Sequence, residues 1–187
     1  MMNLDNYYLH ATGGYHGNKN NAHALIDIFK LGKISKDNTY NYNYDRSPVN
    51  EICLCDPRIK SIPSYLSSFE HFVLYSPSIL VSRDIEVYTP YFTEEETNDN
   101  SVSDMLDEVR CKSDIFMSNF KGIIFPIERK DFSSVNINDE ISNLCIYREC
   151  IEFLENNYSM IPRYDTFTLE PITIEQINNK IKTLSTK

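Results

Sequence analysis

The residues of this chain that could do chemistry fall in two places. The first is the run YYLHATGGYHG, Tyr7 to Gly17, which takes two of the four histidines and three of the five glycines. Two aromatics and a leucine lead into His10, then Ala11, Thr12 and two glycines follow. A histidine at the end of an apolar strand, followed by small residues, leaves bare backbone beside an imidazole. Such backbone can pair with an amide or hydroxyl of a ligand, and glycines permit the close approach. Two other readings stand beside this one. His10 can be a core histidine satisfied by backbone. It can also ligate a metal with His16 and His23, but their spacings place the three on no common helix face and no carboxylate cluster lies nearby.

The second place is DEVRCKSDI, which carries Glu108. A carboxylate on a strand can stabilise positive charge in a cleft, or it can simply pair with a neighbour such as Arg110. Cys111 lies between Arg110 and Lys112, whose charges would favour a thiolate. In a strand, however, both neighbours point to the opposite face. The other cysteines show no metal-ligand pattern. Cys53 and Cys55 are one residue apart, too close for ordinary zinc ligation, and read as reduced thiols.

These residues need elements to hold them. Tyr7 to Leu9 reads as a short strand ending at the glycines. Ala22, Leu25, Ile26 and Phe29 then share one helix face, with Asn20 or Asn21 as cap and Gly32 closing the end in a left-handed conformation. The stretches EICLCDP, FEHFVLYSP and DIEVYTP read as strands halted by proline. DEVRCKSDI and GIIFPIE read as two more, with a turn at Phe120-Lys121-Gly122. Ile123 to Phe125 suggest burial on both faces. From Asn138 to Asn157 the pattern is helical, with Ile141, Leu144, Cys145, Arg148 and Ile151 along one side. The tail opens with Thr173 and Gln176 at capping-box spacing, then presents Ile174, Ile177, Ile181 and Leu184. Strand, helix, several strands, then helices predicts an α+β fold with a mostly antiparallel or split sheet.

At 187 residues the chain is long enough for one domain with a sizeable core. No apolar run approaches the roughly 20 residues of a membrane helix. The start lacks a basic region followed by an apolar stretch, so a cytoplasmic place is expected, and delivery into another cell fits as well. The net charge of −9 argues against a broad nucleic-acid surface. Seven carboxylates and no base lie between Thr93 and Glu108, which reads chiefly as a solvated loop.

The segment YYLHATGG…AHALIDIFKLGKI resembles the first motif of the ADP-ribosyltransferases of histidine–tyrosine–glutamate type. There an apolar strand ends in His-x-Thr, and an amphipathic helix with a closing glycine follows. The resemblance implies an ADP-ribosyltransferase-like core over about residues 7–127 and a C-terminal helical extension over about 138–187. It implies that His10 holds the adenine-side ribose of NAD, that the main chain of Ala11 holds the nicotinamide amide, and that Thr12 supports the turn. DEVRCKSDI is similar to the family's catalytic strand, which makes Glu108 the catalytic carboxylate. The family also has a tyrosine or small hydroxyl residue at its second strand. EICLCDP offers no tyrosine, so Tyr65 and Tyr75 downstream are the candidates, with Ser67 and Ser68 as alternatives. Members that modify arginine or asparagine carry Glu or Gln two residues before the catalytic glutamate. Leu106 stands there, so those targets lose support.

The implied activity is transfer of ADP-ribose from NAD to an unidentified macromolecular acceptor, protein or nucleic acid, as in a toxin or effector. A tRNA 2′-phosphotransferase shares this fold and NAD, but its basic phosphate pocket cannot be assembled from these residues. The alternative from another class is a non-catalytic interaction protein, to which the abundant tyrosines and the acidic run would be suited.

Overall fold

The computed structural model describes residues 2–12, 23–38, 41–42, 48–58, 76–89, 108–128 and 137–186. Six strands form one sheet: β1 (Tyr7–Ala11), β5 (Ile52–Cys55), β6 (Ser78–Ser82), β7 (Glu108–Cys111), β9 (Phe120–Phe125) and β10 (Arg163–Asp165). Their order is β10-β9-β6-β1-β5-β7, antiparallel throughout except for β10 on β9. Two small ladders stand apart, β2 (Lys33–Ile34) with β8 (Ile115–Phe116) and β3 (Asn41–Tyr42) with β4 (Pro48–Val49). Three α-helices are described: α1 (His23–Leu31), α2 (Ile137–Asn157) and α3 (Ile174–Ser185). The fold is α+β, with a mostly antiparallel sheet, as the order of sequence patterns predicts.

Period-two alternation gives the sheet two apolar faces. Tyr8, Ile52, Leu54, Ile79, Val81, Val109, Ile123 and Phe125 share one buried cluster with Leu25 and Phe29 of α1, with α2, and with Ile177 of α3. Leu9, Cys55, Leu80 and Ile124 form a smaller cluster, covered in part by Met2, Leu4, Tyr7 and Tyr164. No described helix is long and apolar enough to cross a membrane.

Helix α1 buries Leu25 and Phe29 completely and Ile26 in part, as its periodicity predicts. Gly32 closes it at φ 74°, its N–H reaching the carbonyls of Ile28 and Phe29. A Cβ at Gly32 would meet nothing within 4 Å, so only the left-handed backbone opposes a side chain there. Gly32→Ala should therefore cost about 1 kcal/mol, read as a small drop in melting temperature with unchanged far-ultraviolet circular dichroism. Thr173 and Gln176 form the reciprocal capping box of α3.

Three expectations are corrected. DIEVYTP is not a strand: its described residues make turns and one isolated bridge, Tyr88 to Arg110. Phe120-Lys121-Gly122 is the start of β9 and no turn. Gly122 is there because a Cβ would press on the Pro162 carbonyl and the Leu80 side chain, each 3.2 Å away. The expected strand FEHFVLYSP lies outside the described residues except for Ser76 and Pro77, after which β6 begins. Along α2 the buried stripe runs through Leu144, Tyr147, Cys150, Ile151 and Leu154, so Ile141, Cys145 and Arg148 are only partly covered. The C-terminal part also carries β10, so it extends the sheet as well as adding helices.

Candidate functional site at the β1–β5 seam

Strand β1 pairs with β6 along its whole length, from Tyr7↔Ser82 to Ala11↔Ser78. Against β5 it registers one pair, Leu9↔Cys55. The last residues of β1 therefore lie beyond its registered pairing with β5. Thr12 fixes the strand end on the β6 side. Its buried N–H and hydroxyl both donate to the Pro77 carbonyl, at 3.0 and 2.9 Å. Alternation in an antiparallel ladder then turns the N–H and C=O of Ala11 toward β5, beyond the last registered pair.

His10 lies just past this pair, half-buried, with Nδ1 3.2 Å from the Cys53 carbonyl oxygen. A carbonyl only accepts, so Nδ1 carries the proton. Burial holds the His10 pKa below the ordinary histidine value, and the Cys53 bond offsets only part of that. The neutral ring leaves Nε2 as an acceptor, which suits a ligand hydroxyl.

The start of β1 is clasped by Arg83. Its guanidinium donates to the carbonyls of Asp5 and Tyr7 at 2.8 and 2.9 Å and pairs with Asp56 at 2.7 Å. It also lies over the Tyr8 ring, 4.3 Å from the centroid. Burial raises the Asp56 pKa, but the Arg83 and Arg58 guanidiniums outweigh it and hold the carboxyl well below the usual carboxylate range.

Glu108 opens β7, opposite Cys55. Its Oε1 accepts from Arg110 Nε at 2.6 Å and from the Cys53 thiol at 3.2 Å. Arg110 is buried, and its Nη1 lies 3.6 Å from Glu51 Oε2, which accepts from the Tyr88 hydroxyl at 2.5 Å. Burial and the Glu51 hydrogen bond push the Tyr88 pKa up to about 12. Burial, then the charge of Glu108, pushes the Cys53 thiol far up, so it stays protonated and donates.

Cys53 thus joins the two sequence-predicted residues, His10 through its carbonyl and Glu108 through its thiol. It does not bring them face to face. Strand partners share a face, so Glu108 lies with Leu9, Cys55, Cys53 and Arg110. His10 pairs with Ile79 and follows Tyr8 and Val81 onto the helix-covered face. Tyr65, Tyr75, Ser67, Ser68, His16 and Leu106 lie outside the described residues. His23 pairs with Glu149 of α2 at 3.1 Å. Among the described residues no group of three His, Cys, Asp or Glu is placed to hold a metal ion.

No protein-family model, no curated protein and no solved structure matches this chain.

Sequence reading singles out His10, Ala11, Thr12, Glu108 and Arg110 but misses Glu51, Cys53 and Tyr88 as members of the network. For Glu51 and Cys53 a signal exists. Cys53 and Cys55 share one face of β5, and Glu51, just before the strand, continues the alternation, so a carboxylate and two thiols fall on one side. For Tyr88 there is none, since only the tertiary bridge to Arg110 brings it in.

Proposed function

We propose that this chain is an NAD-dependent ADP-ribosyltransferase whose NAD site is the open end of the β1–β5 seam. The observation that carries the reading is the end of β1–β5 pairing at Leu9↔Cys55. It leaves a neutral imidazole and the donor and acceptor of the Ala11 main chain beside an opening. A ribose hydroxyl can donate to His10 Nε2, and a carboxamide needs one donor and one acceptor, as the Ala11 backbone offers. In the reaction the bond between ribose C1′ and the nicotinamide nitrogen breaks, and its electron pair leaves with nicotinamide. The acceptor's nucleophile bonds to C1′ and gives up its proton. Positive charge grows on the ribose in between, as in glycoside cleavage. Glu108 is the carboxylate to stabilise it. Because His10 and Glu108 reach Cys53 from its two faces, the reading requires the ribose to pass over the open end of the seam. The acceptor is a macromolecule.

One observation favours a second reading, a non-catalytic interaction protein. Glu108 already has a cationic partner in Arg110 and stands on the face away from His10.

Thermal unfolding separates the two. Anything that binds only the native state stabilises it by about 2.7 kcal/mol at a hundred times its dissociation constant. Millimolar NAD should raise the melting temperature by several degrees, at about 2–4 °C per kcal/mol for a chain of this size. His10→Ala removes the ring acceptor and should weaken NAD binding about tenfold. No shift with NAD on the wild-type chain would leave the interaction-protein reading standing.

A further inference from the structure

We infer that Cys53 is a positioning residue for Glu108, its thiol holding the carboxylate toward the part of β5 that His10 touches. The inference rests on the reading of Glu108 as the working carboxylate. Glu108 pairs across the ladder with Cys55, and Arg110 with Cys53. The four side chains share one face, with the second pair two residues further along β7. The Glu108 carboxylate reaches along to that second pair. Its Oε1 accepts from Arg110 Nε at 2.6 Å and from the Cys53 thiol at 3.2 Å. Arg110 stands on the same strand as Glu108, so its bond fixes the carboxylate along β7 and leaves its swing across the sheet. The thiol comes from the neighbouring strand and fixes that second direction. The carbonyl of the same Cys53 takes Nδ1 of His10 at 3.2 Å. One residue of β5 thus sets the ring by its main chain and the carboxylate by its side chain.

A thiol is a weak donor, but a bond to a carboxylate is stronger than one to a neutral oxygen. Burial, and then the charge of Glu108, keep the Cys53 thiol protonated, so the donor persists at neutral pH. The side chain of Glu108 is 15% exposed, so little water competes for Oε1. What the thiol supplies is direction. A carboxylate stabilises a growing positive charge only where that charge grows, and a displacement of about 1 Å can cost a hundredfold in rate. With Cys53 cut back to a methyl group, Arg110 holds Glu108 without it, and the carboxylate can lean toward its own strand. The Cys53 carbonyl and its bond to His10 stay in place, so the binding side of the site is untouched.

The test uses Cys53→Ala and Cys53→Ser in the full chain, with two measurements. The first is the infrared S–H stretching band of Cys53, isolated by subtracting the spectrum of the same protein carrying Cys53→Ala. It is taken in the wild type and in Glu108→Gln. Glu108→Gln should move the band to higher frequency, because a neutral amide oxygen holds the thiol less strongly than a carboxylate. The second measurement is NAD cleavage. Cys53→Ala should lower kcat about tenfold and leave KM for NAD unchanged. Cys53→Ser keeps a donor in that place and should bring kcat back to within about threefold of wild type. A band unmoved by Glu108→Gln, a wild-type kcat in Cys53→Ala, or a Cys53→Ser variant as slow as Cys53→Ala overturns the inference. A wild-type chain that does not cleave NAD sinks the transferase reading instead, and the band still decides whether the thiol holds Glu108.

Discussion

Glu108→Gln should keep NAD binding and lose most NAD cleavage or transfer, by a factor of about 10²–10³. Glutamine has the shape of glutamate, and its amide oxygen can still accept from Arg110 Nε and the Cys53 thiol. On the transferase reading, what disappears is the negative charge beside the bound ribose, which matters only as positive charge builds. Binding should therefore change little, while kcat falls. Arg110 does not become an unpaired buried cation in this variant, since Glu51 remains 3.6 Å from its Nη1. A stability loss is thus kept small, and a melting curve of the variant checks that the fold is intact. Equilibrium binding of NAD and single-turnover cleavage, measured on the same preparation, read the two effects separately. Full activity in Glu108→Gln would mean that another residue carries the charge.

The largest expected loss of stability lies elsewhere, at Phe29. Its ring is fully buried in α1. It meets Phe120 of β9 edge-on with centroids 5.5 Å apart, and Tyr158 after α2 at 5.1 Å. The Tyr158 hydroxyl also donates to the Phe29 carbonyl at 2.9 Å. One side chain thus ties the first helix to the sheet and to the end of the long helix. Phe29→Ala removes the ring and leaves a cavity among groups held by other contacts. The cost should be about 3–5 kcal/mol. For a chain of this length that is a fall in melting temperature of about 6–20 °C. A melting temperature equal to the wild-type value would show that the surroundings collapse into the space.

Helix α1, its glycine stop and the capping box of α3 are legible in the sequence because each is a local device. Periodicity, a left-handed residue and a side chain reaching three positions along are all short-range physics. Strand β6 is another matter. SILVS offers three apolar residues between serines, directly after Pro77, and nothing local marks it as a strand. It is buried on both faces because Ile79 and Val81 join the helix-covered cluster and Leu80 the smaller one behind the sheet, which is a property of the assembled sheet. DIEVYTP misleads in the opposite direction. It alternates as a strand should, but Ser82 and Asp84 hydrogen-bond to each other and turn the chain, leaving Tyr88 as its one bridge to β7 among the described residues. In α2 the buried stripe includes Tyr147 and Cys150, which count for less than isoleucine in an apolar pattern but face the sheet and α3. At the site, the residue types of His10 and Glu108 are legible, and so is Arg110 as a neighbour. Their faces are not, because face depends on the register between β1, β5 and β7, strands far apart in the chain.

The strand order β10-β9-β6-β1-β5-β7 also sets how the sheet can grow as the chain is made. The first strand synthesised, β1, ends in the middle. Next comes β5, which joins it on one side, and then β6 on the other. Strand β7 adds outside β5, β9 outside β6, and β10 outside β9. Every arrival meets an existing edge, and none has to be inserted between strands already paired. A chain emerging at about 5–20 residues per second can therefore build this sheet outward from its own beginning. The same order makes β1 the template on which both halves depend: without Tyr7–Ala11, β5 and β6 have no common neighbour.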